Sequence, residues 1–176
     1  MRQVLEALAY LQVRGLIHRD LKPENIMLAN KSTSETSIEI SVVDFGFMTK
    51  VSEHKILFSR CGTPGFVAPE VLADYDYDCK ADIFSAGIIF YLLLLRHNPF
   101  QDRSYSKLVK KNKLGIVDLA SVEELELEKK KQILQVLTGM LSKDPKNRLT
   151  ASELLRLELF TPLASKLSIS TIETET

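Results

Sequence analysis

The chain has 176 residues, 45% hydrophobic and 26% charged, which suits one folded domain with its own core and excludes disorder by composition. Its 23 basic and 23 acidic residues cancel, so no overall field favours nucleic acid or an anionic membrane, and any pull on a charged substrate must be local. Cys61 and Cys79 form no C-x-x-C pair, which excludes a cysteine zinc set and a disulfide framework.

Gln3 and Glu6 interrupt the amino terminus before any apolar run of signal-peptide length, so the chain reads as intracellular and cytoplasmic. Val4, Leu5, Leu8 and Leu11 recur at helical spacing ahead of Arg14-Gly15 and predict an amphipathic helix that ends at the glycine. The next segment is His18-Arg19-Asp20-Leu21-Lys22-Pro23-Glu24-Asn25. An acid, an amide and two cations so close together suit chemistry on phosphate better than a core. Phosphoryl transfer needs a hydroxyl steered, metal ions held and developing charge neutralised, and Asp, Asn and Lys supply one group for each task. Short apolar or alternating runs at 26–28 and 38–43, separated by a Ser/Thr-rich stretch at 30–37, predict a β-hairpin with a long turn. Asn25 and Asp44 flank that hairpin. Antiparallel pairing would bring their oxygen-bearing side chains to one cation.

Residues 47–65 show no periodicity and read as a mobile loop, and the chain is expected to be helical after Glu70. Residues 82–95 predict a central helix. Its uncharged run at 86–95 is ten residues long, too short for the roughly 20 that span a bilayer, and is read as core, with Pro99 stopping any continuation. A further helix is predicted at 104–113, with a solvated basic face of Lys107, Lys110, Lys111 and Lys113. Ser121-Val122-Glu123-Glu124 and Thr150-Ala151-Ser152-Glu153 both fit a capping box. Between them Ile133, Val136, Leu137, Met140 and Leu141 form a core-facing stripe that ends before Pro145. The division expected is one domain at 1–160 and a Ser/Thr/Glu-rich tail at 161–176 that frays.

Three motifs occur in order: His18 to Asn25, then Asp44-Phe45-Gly46, then Ala68-Pro69-Glu70. On these the chain resembles a eukaryotic-type protein kinase of the serine/threonine class. Cys61-Gly62-Thr63-Pro64-Gly65-Phe66-Val67-Ala68-Pro69-Glu70 together with Lys22-Pro23-Glu24-Asn25 is most similar to the calcium/calmodulin-dependent group. The resemblance implies a mainly α (α+β) fold: the helical carboxy-terminal lobe of a kinase with a short β-hairpin, the amino-terminal lobe being absent. It implies ATP and Mg²⁺ as cofactors, protein substrates with Ser or Thr acceptors, and an upstream activating kinase.

Residue by residue, the resemblance implies that Asp20 orients the acceptor hydroxyl and that Lys22 neutralises charge on the transferred phosphoryl group. Thr63 would bond across to both. Asn25 and Asp44 would hold Mg²⁺, and Lys22, Glu24, Asn25, Met27 and Asp44 would contribute to the nucleotide site. Glu24 could also attract an arginine on the substrate, and Phe47 leans toward serine acceptors. Arg19 would pair with a phosphate on the activation segment 44–70, at Ser59 first and at Ser52 or Thr49 as weaker candidates. His18 would pack against Phe45 to hold the loop, Asp82 would anchor the loop backbone, and Glu70 with Arg148 would form a buried ion pair. Phe84 stands where the family usually has Trp. Met27, Ile89 and Leu93 would stack between the nucleotide site and the central helix, and His54 and His97 receive no role.

The family pattern also has a glycine-rich loop, a strand lysine and a helix glutamate ahead of the first helix, and no G-x-G-x-x-G occurs in this sequence. Two readings therefore stay open. One is a serine/threonine kinase lobe that is inactive alone, and the other is a noncatalytic kinase-like interaction module or decoy. The tail carries Lys166, Glu173 and Glu175 instead of a basic amphipathic helix, so calmodulin regulation is not expected, and neither is a nucleic-acid or membrane partner.

Overall fold

The computed structural model describes residues 1–28, 38–51, 61–73 and 75–161. Ser52, His54, Ser59, the hairpin turn at 30–37 and nearly all of the tail lie outside the described residues. In chain order the elements are α1 (Arg2–Val13), β1 (Leu16–Ile17), a 3₁₀ turn (Pro23–Asn25), β2 (Ile26–Leu28), β3 (Ile40–Val42), β4 (Thr49–Lys50), α2 (Pro69–Leu72), α3 (Lys80–Leu95), α4 (Tyr105–Leu114), α5 (Ala120–Glu123), α6 (Lys130–Leu141), a second 3₁₀ turn (Pro145–Asn147) and α7 (Ala151–Leu155). The fold is mainly helical, as the motifs imply. None of the described helices is long and apolar enough to cross a membrane.

α1 buries Val4, Leu5, Leu8 and Leu11, the stripe read from its periodicity, and packs on α3 and α7. Gln12 Oε1 accepts the Ala151 amide at 3.1 Å, which ties α1 to the start of α7. At the other end of α1, Gln3 Nε2 donates to the Ile38 carbonyl and Gln3 Oε1 accepts the Ile40 amide, so the helix carries the hairpin on its first turn. α3 is buried along most of its length and packs on α6 through Val136, Leu137, Met140 and Leu141. Leu93, near the end of α3, is 65% exposed. The helix stops at Arg96, which takes a left-handed conformation at φ 59°, before Pro99 is reached.

Several local expectations need correction. α2 is one turn and α3 begins only at Lys80, so the chain after Glu70 is not continuously helical. The hairpin pairs Ile26 with Val42 and Leu28 with Ile40. A second two-stranded sheet, β1 with β4, falls partly in the segment read as an irregular loop, and it places Thr49 opposite Ile17. Two-residue strands are too short to show alternation in sequence. The Thr150–Glu153 capping box forms, whereas Ser121 lies inside α5 and caps nothing, because Asp118 Oδ1 takes the Ala120 amide at 2.9 Å and starts the helix earlier. Ile26, not Met27, shares an apolar groove with Ile89 and Leu93, since side chains alternate along a strand and Met27 points the other way, 57% exposed.

Glu70 in α2 and Arg148 join that helix to the turn after α6. Arg148 Nη2 meets Glu70 Oε2 at 2.7 Å and Nη1 meets Oε1, giving a two-pronged pair with Arg148 1% and Glu70 5% exposed. The remaining guanidinium hydrogens go to the carbonyls of Ser142, Lys143 and Lys80, and the guanidinium carbon lies 4.9 Å from the centroid of the Phe84 ring. A buried arginine needs this many partners to offset its lost hydration. Replacing Arg148 with Leu strands the Glu70 carboxylate, and urea unfolding is expected to show a loss of about 3–5 kcal/mol. Glu70→Gln combined with Arg148→Leu should recover part of it, and a loss for Arg148→Leu alone that matches an exposed Lys→Leu change would contradict this account.

Candidate active site

Asp82, in the first turn of α3 and 2% exposed, accepts the His18 amide at 2.7 Å on Oδ2 and the Arg19 amide at 3.0 Å on Oδ1. Burial pushes its carboxyl up, against the pull of these two hydrogen bonds and of the nearby Arg19 charge. The loop that follows is thereby fixed to the core by its backbone. The His18 ring is fully buried: Nε2 donates to the Val43 carbonyl at 3.1 Å and Nδ1 accepts the Asp20 amide at 3.3 Å, which selects one tautomer. Its ring meets Phe45 edge-on at 5.2 Å. One imidazole thus touches the loop before the hairpin and the segment after it.

Asp20 sits at the centre, 5% exposed. Thr63 donates from Oγ1 to Asp20 Oδ1 at 2.7 Å, and Lys22 Nζ reaches Asp20 Oδ2 at 2.7 Å and Thr63 Oγ1 at 3.1 Å. Three side chains from two segments close one ring of contacts. Desolvation raises the Asp20 pKa, but the hydrogen bonds from Lys22, Thr63 and Asn25 and the Lys22 charge outweigh it and hold the carboxyl below the ordinary aspartate value. The Asp20 carboxylate pushes Lys22 the other way, up from the usual lysine value, with Glu24 and Asp44 adding to the pull.

Asn25, 5% exposed, donates from Nδ2 to the Asp20 carbonyl at 2.8 Å and more weakly to Asp20 Oδ2 at 3.4 Å. Its amide hydrogens are therefore spent on the loop and its Oδ1 has no partner among the described residues. The Val43 amide donates to the Asn25 carbonyl at 2.9 Å, which extends the β2–β3 ladder and sets Asp44 one position beyond Asn25. Asp44 is exposed, with Oδ1 accepting the Gly46 amide at 3.3 Å. A carboxylate and a carboxamide oxygen fit Mg²⁺, which takes oxygen ligands and is held by one or two carboxylates together with substrate phosphates. No described cluster of three His, Cys, Asp or Glu forms an all-protein metal cage. Glu24, in the 3₁₀ turn, and Met27, in β2, are both exposed.

Arg19 and Asp44 both have positive φ, at 72° and 63°, so two of the three described non-glycine residues in that conformation lie in these motifs. Such strain persists where the surroundings enforce it, and it gathers at functional sites. Arg19 Nε donates to the Phe47 carbonyl, linking the loop to the segment after Asp44. Gly62 has φ 99°, and a Cβ there would lie 2.6 Å from the Arg19 carbonyl oxygen, so the segment carrying Thr63 approaches the loop only because residue 62 has no side chain.

The family described as the protein kinase domain matches residues 1–160. The chain belongs to the protein kinase family. Among its relatives, the calcium/calmodulin-dependent protein kinase type II of Caenorhabditis elegans is 35% identical over 157 residues, 89% of this chain and 21% of that protein. The alpha chain of the Drosophila melanogaster type II enzyme is 36% identical over 159 residues, covering 89% of this chain and 29% of its own length. The delta subunit from Oryctolagus cuniculus is 35% identical over 157 residues, again 89% of this chain and 28% of its own length. This kinase-family chain thus spans less than a third of the length of the curated relatives it matches.

Two residues that sequence reasoning passed over also touch the site. Asn98 and Asn112 bind the backbone two residues beyond Thr63, at Gly65. Asn112 lies among the lysines of α4, where its fully buried position leaves no periodic signal.

Thr63→Val removes one hydrogen bond from Asp20 and is expected to move its carboxyl titration upward, toward the ordinary value near 3.9. The sign follows from the lowered native pKa: the stability Asp20 contributes is present above the unfolded value and is lost as pH falls through the native one. That acid window should narrow in the variant. A carbon-detected NMR titration of Asp20 reads the shift, and an unmoved titration would show that Thr63 does not hold the carboxylate in solution.

Proposed function

We propose that this chain supplies the catalytic-loop half of a serine/threonine protein kinase site. The observation that carries the reading is the convergence of Thr63 Oγ1 and Lys22 Nζ on the two oxygens of Asp20, beside Asn25. Each carboxylate oxygen has two lone-pair directions, so a substrate hydroxyl can still donate to Asp20 while Thr63 and Lys22 keep their bonds. Thr63, on the segment ahead of α2, registers that segment against the loop.

Asp20 then orients the Ser or Thr hydroxyl toward the γ-phosphorus of ATP and accepts its proton as the new P–O bond forms and ADP departs. With its pKa held low, Asp20 is a weak base at neutral pH, so orientation dominates and the proton moves late. Lys22 stands beside the transferred group as a fixed cation, and such preorganised charge lowers the barrier without rearranging at the moment of reaction. Positioning alone can contribute about 7–11 kcal/mol to such a reaction. Asn25 and Asp44 would hold Mg²⁺, which supplies neutralisation of phosphate charge when bound. Met27 presents an exposed apolar side chain beside Asn25, suited to an adenine face. Glu24 is exposed next to Asn25 and would attract a basic residue on the substrate.

These 176 residues contain no glycine-rich loop to cover the phosphates. The chain by itself is therefore expected to give no transfer from Mg-ATP to a basic serine peptide above background. Fused behind a kinase amino-terminal lobe that carries a glycine-rich loop and strand lysine, it should phosphorylate that peptide and lose at least about 10²-fold in rate with Asp20→Asn. A fusion that folds and binds nucleotide but transfers nothing, or one indifferent to Asp20→Asn, would overturn the reading.

A further inference from the structure

We infer that Asn98 and Asn112 form a side-chain clamp that fixes the docking segment 62–67 and, through it, sets Thr63 against Asp20. The inference rests on the kinase reading for its consequence in substrate binding, whereas the clamp itself is argued from geometry alone.

Asn112 comes from α4 and is completely buried. Its Oδ1 accepts the Gly65 amide at 2.7 Å and its Nδ2 donates to the Val67 carbonyl at 2.8 Å. A carboxamide has the same donor and acceptor as a peptide unit, so Asn112 acts as a one-residue strand partner for 65–67. Asn98, in the connection between α3 and α4, donates from Nδ2 to the Gly65 carbonyl at 3.0 Å, and its Oδ1 accepts the Phe100 amide at 2.8 Å. Both backbone polar groups of Gly65 are thereby held by side chains from outside the segment. Within the segment, the Phe66 and Val67 amides both donate to the Thr63 carbonyl, at 3.0 and 3.1 Å. The residue held by the clamp is thus linked by a single tight turn to the residue that touches Asp20.

Gly65 suits this arrangement. Its φ of 98° is one that side-chain-bearing residues rarely adopt, and a Cβ there would sit 3.4 Å from Asn98 Nδ2. Among the described residues neither asparagine hydrogen-bonds to Asp20, Lys22 or the hairpin, so each is a positioning residue that acts through Thr63. In the kinase reading residues 62–67 lie next to the acceptor site, and the amides at 65, 66 and 67 already have partners, Asn112 for the first and the Thr63 carbonyl for the other two. A docked peptide would therefore meet a shelf whose position is set by α4, and loss of the clamp should weaken peptide binding without altering the nucleotide side.

The test uses the full chain with Asn112→Leu, which keeps side-chain size but not its hydrogen bonds, and Asn98→Ala at a half-buried position. Protected amides in α3 and α6 report that each variant is folded, and Asn98→Ala decides the matter if Asn112→Leu is not. The expected result is faster hydrogen exchange at Gly65 together with faster exchange at Phe66 and Val67, whose amides hold the Thr63 carbonyl. Deprotection at Gly65 with unchanged exchange at Phe66 and Val67 would reduce both residues to local packing and overturn the inference. So would unchanged exchange at Gly65. This readout needs no catalysis, so it stands even if the kinase reading fails. In the active fusion, the same variants should raise the KM for the serine peptide about tenfold and leave the KM for ATP unchanged, as loss of one or two hydrogen bonds would. A peptide KM equal to wild type would remove the docking consequence.

Discussion

The carboxylate of Asp82 holds the amides of His18 and Arg19 from within the core. Those two bonds convert a surface loop into an extension of α3. A loop of this composition would otherwise carry two cations and two acids on a mobile backbone, and any chemistry that depends on positioned groups tolerates little misplacement. With the backbone pinned at 18 and 19, His18 reaches both the Asp20 amide and the Val43 carbonyl, and the loop and the hairpin share one anchor. The positive φ of Arg19 is the local cost of that geometry.

From the opposite side, the segment 62–67 is brought to the loop by a second set of buried polar contacts. Gly62 permits the approach to the Arg19 carbonyl, Thr63 closes onto Asp20, and the Glu70–Arg148 pair fixes the far end of the segment to the turn after α6. The site is thus assembled between α3, which holds the loop, and α4 with the α6–α7 connection, which hold the segment 62–67. Apolar packing of α3 on α6 sets the distance between these supports. Buried ionic and amide groups then fix orientation, which hydrophobic burial cannot do because it has no direction.

Much of this was legible in the sequence where one residue type at one spacing admits few uses. The α1 stripe, the α6 stripe and the Thr150 capping box follow from periodicity and local hydrogen bonding, and the structure has each of them. The pairing of Asn25 with the end of β3 followed from two short runs around a polar turn. Other features depend on tertiary partners that no local pattern encodes. β1 and β4 are two residues each, Ser121 loses its capping role to Asp118, and the face of Met27 depends on strand phase that a three-residue run leaves open. Asn98 and Asn112 were invisible for the same reason, since their partners lie 33 and 47 positions away.

Asp82→Asn tests the central claim most directly. An amide in place of the carboxylate keeps one acceptor oxygen and sets an NH₂ group against a backbone amide that had donated to Asp82. Native-state hydrogen exchange on the variant should show that the His18 and Arg19 amides lose protection by at least about tenfold relative to amides in the middle of α3. Equal protection at His18 and Arg19 in the folded variant and the wild type would mean that the loop is held by something other than Asp82.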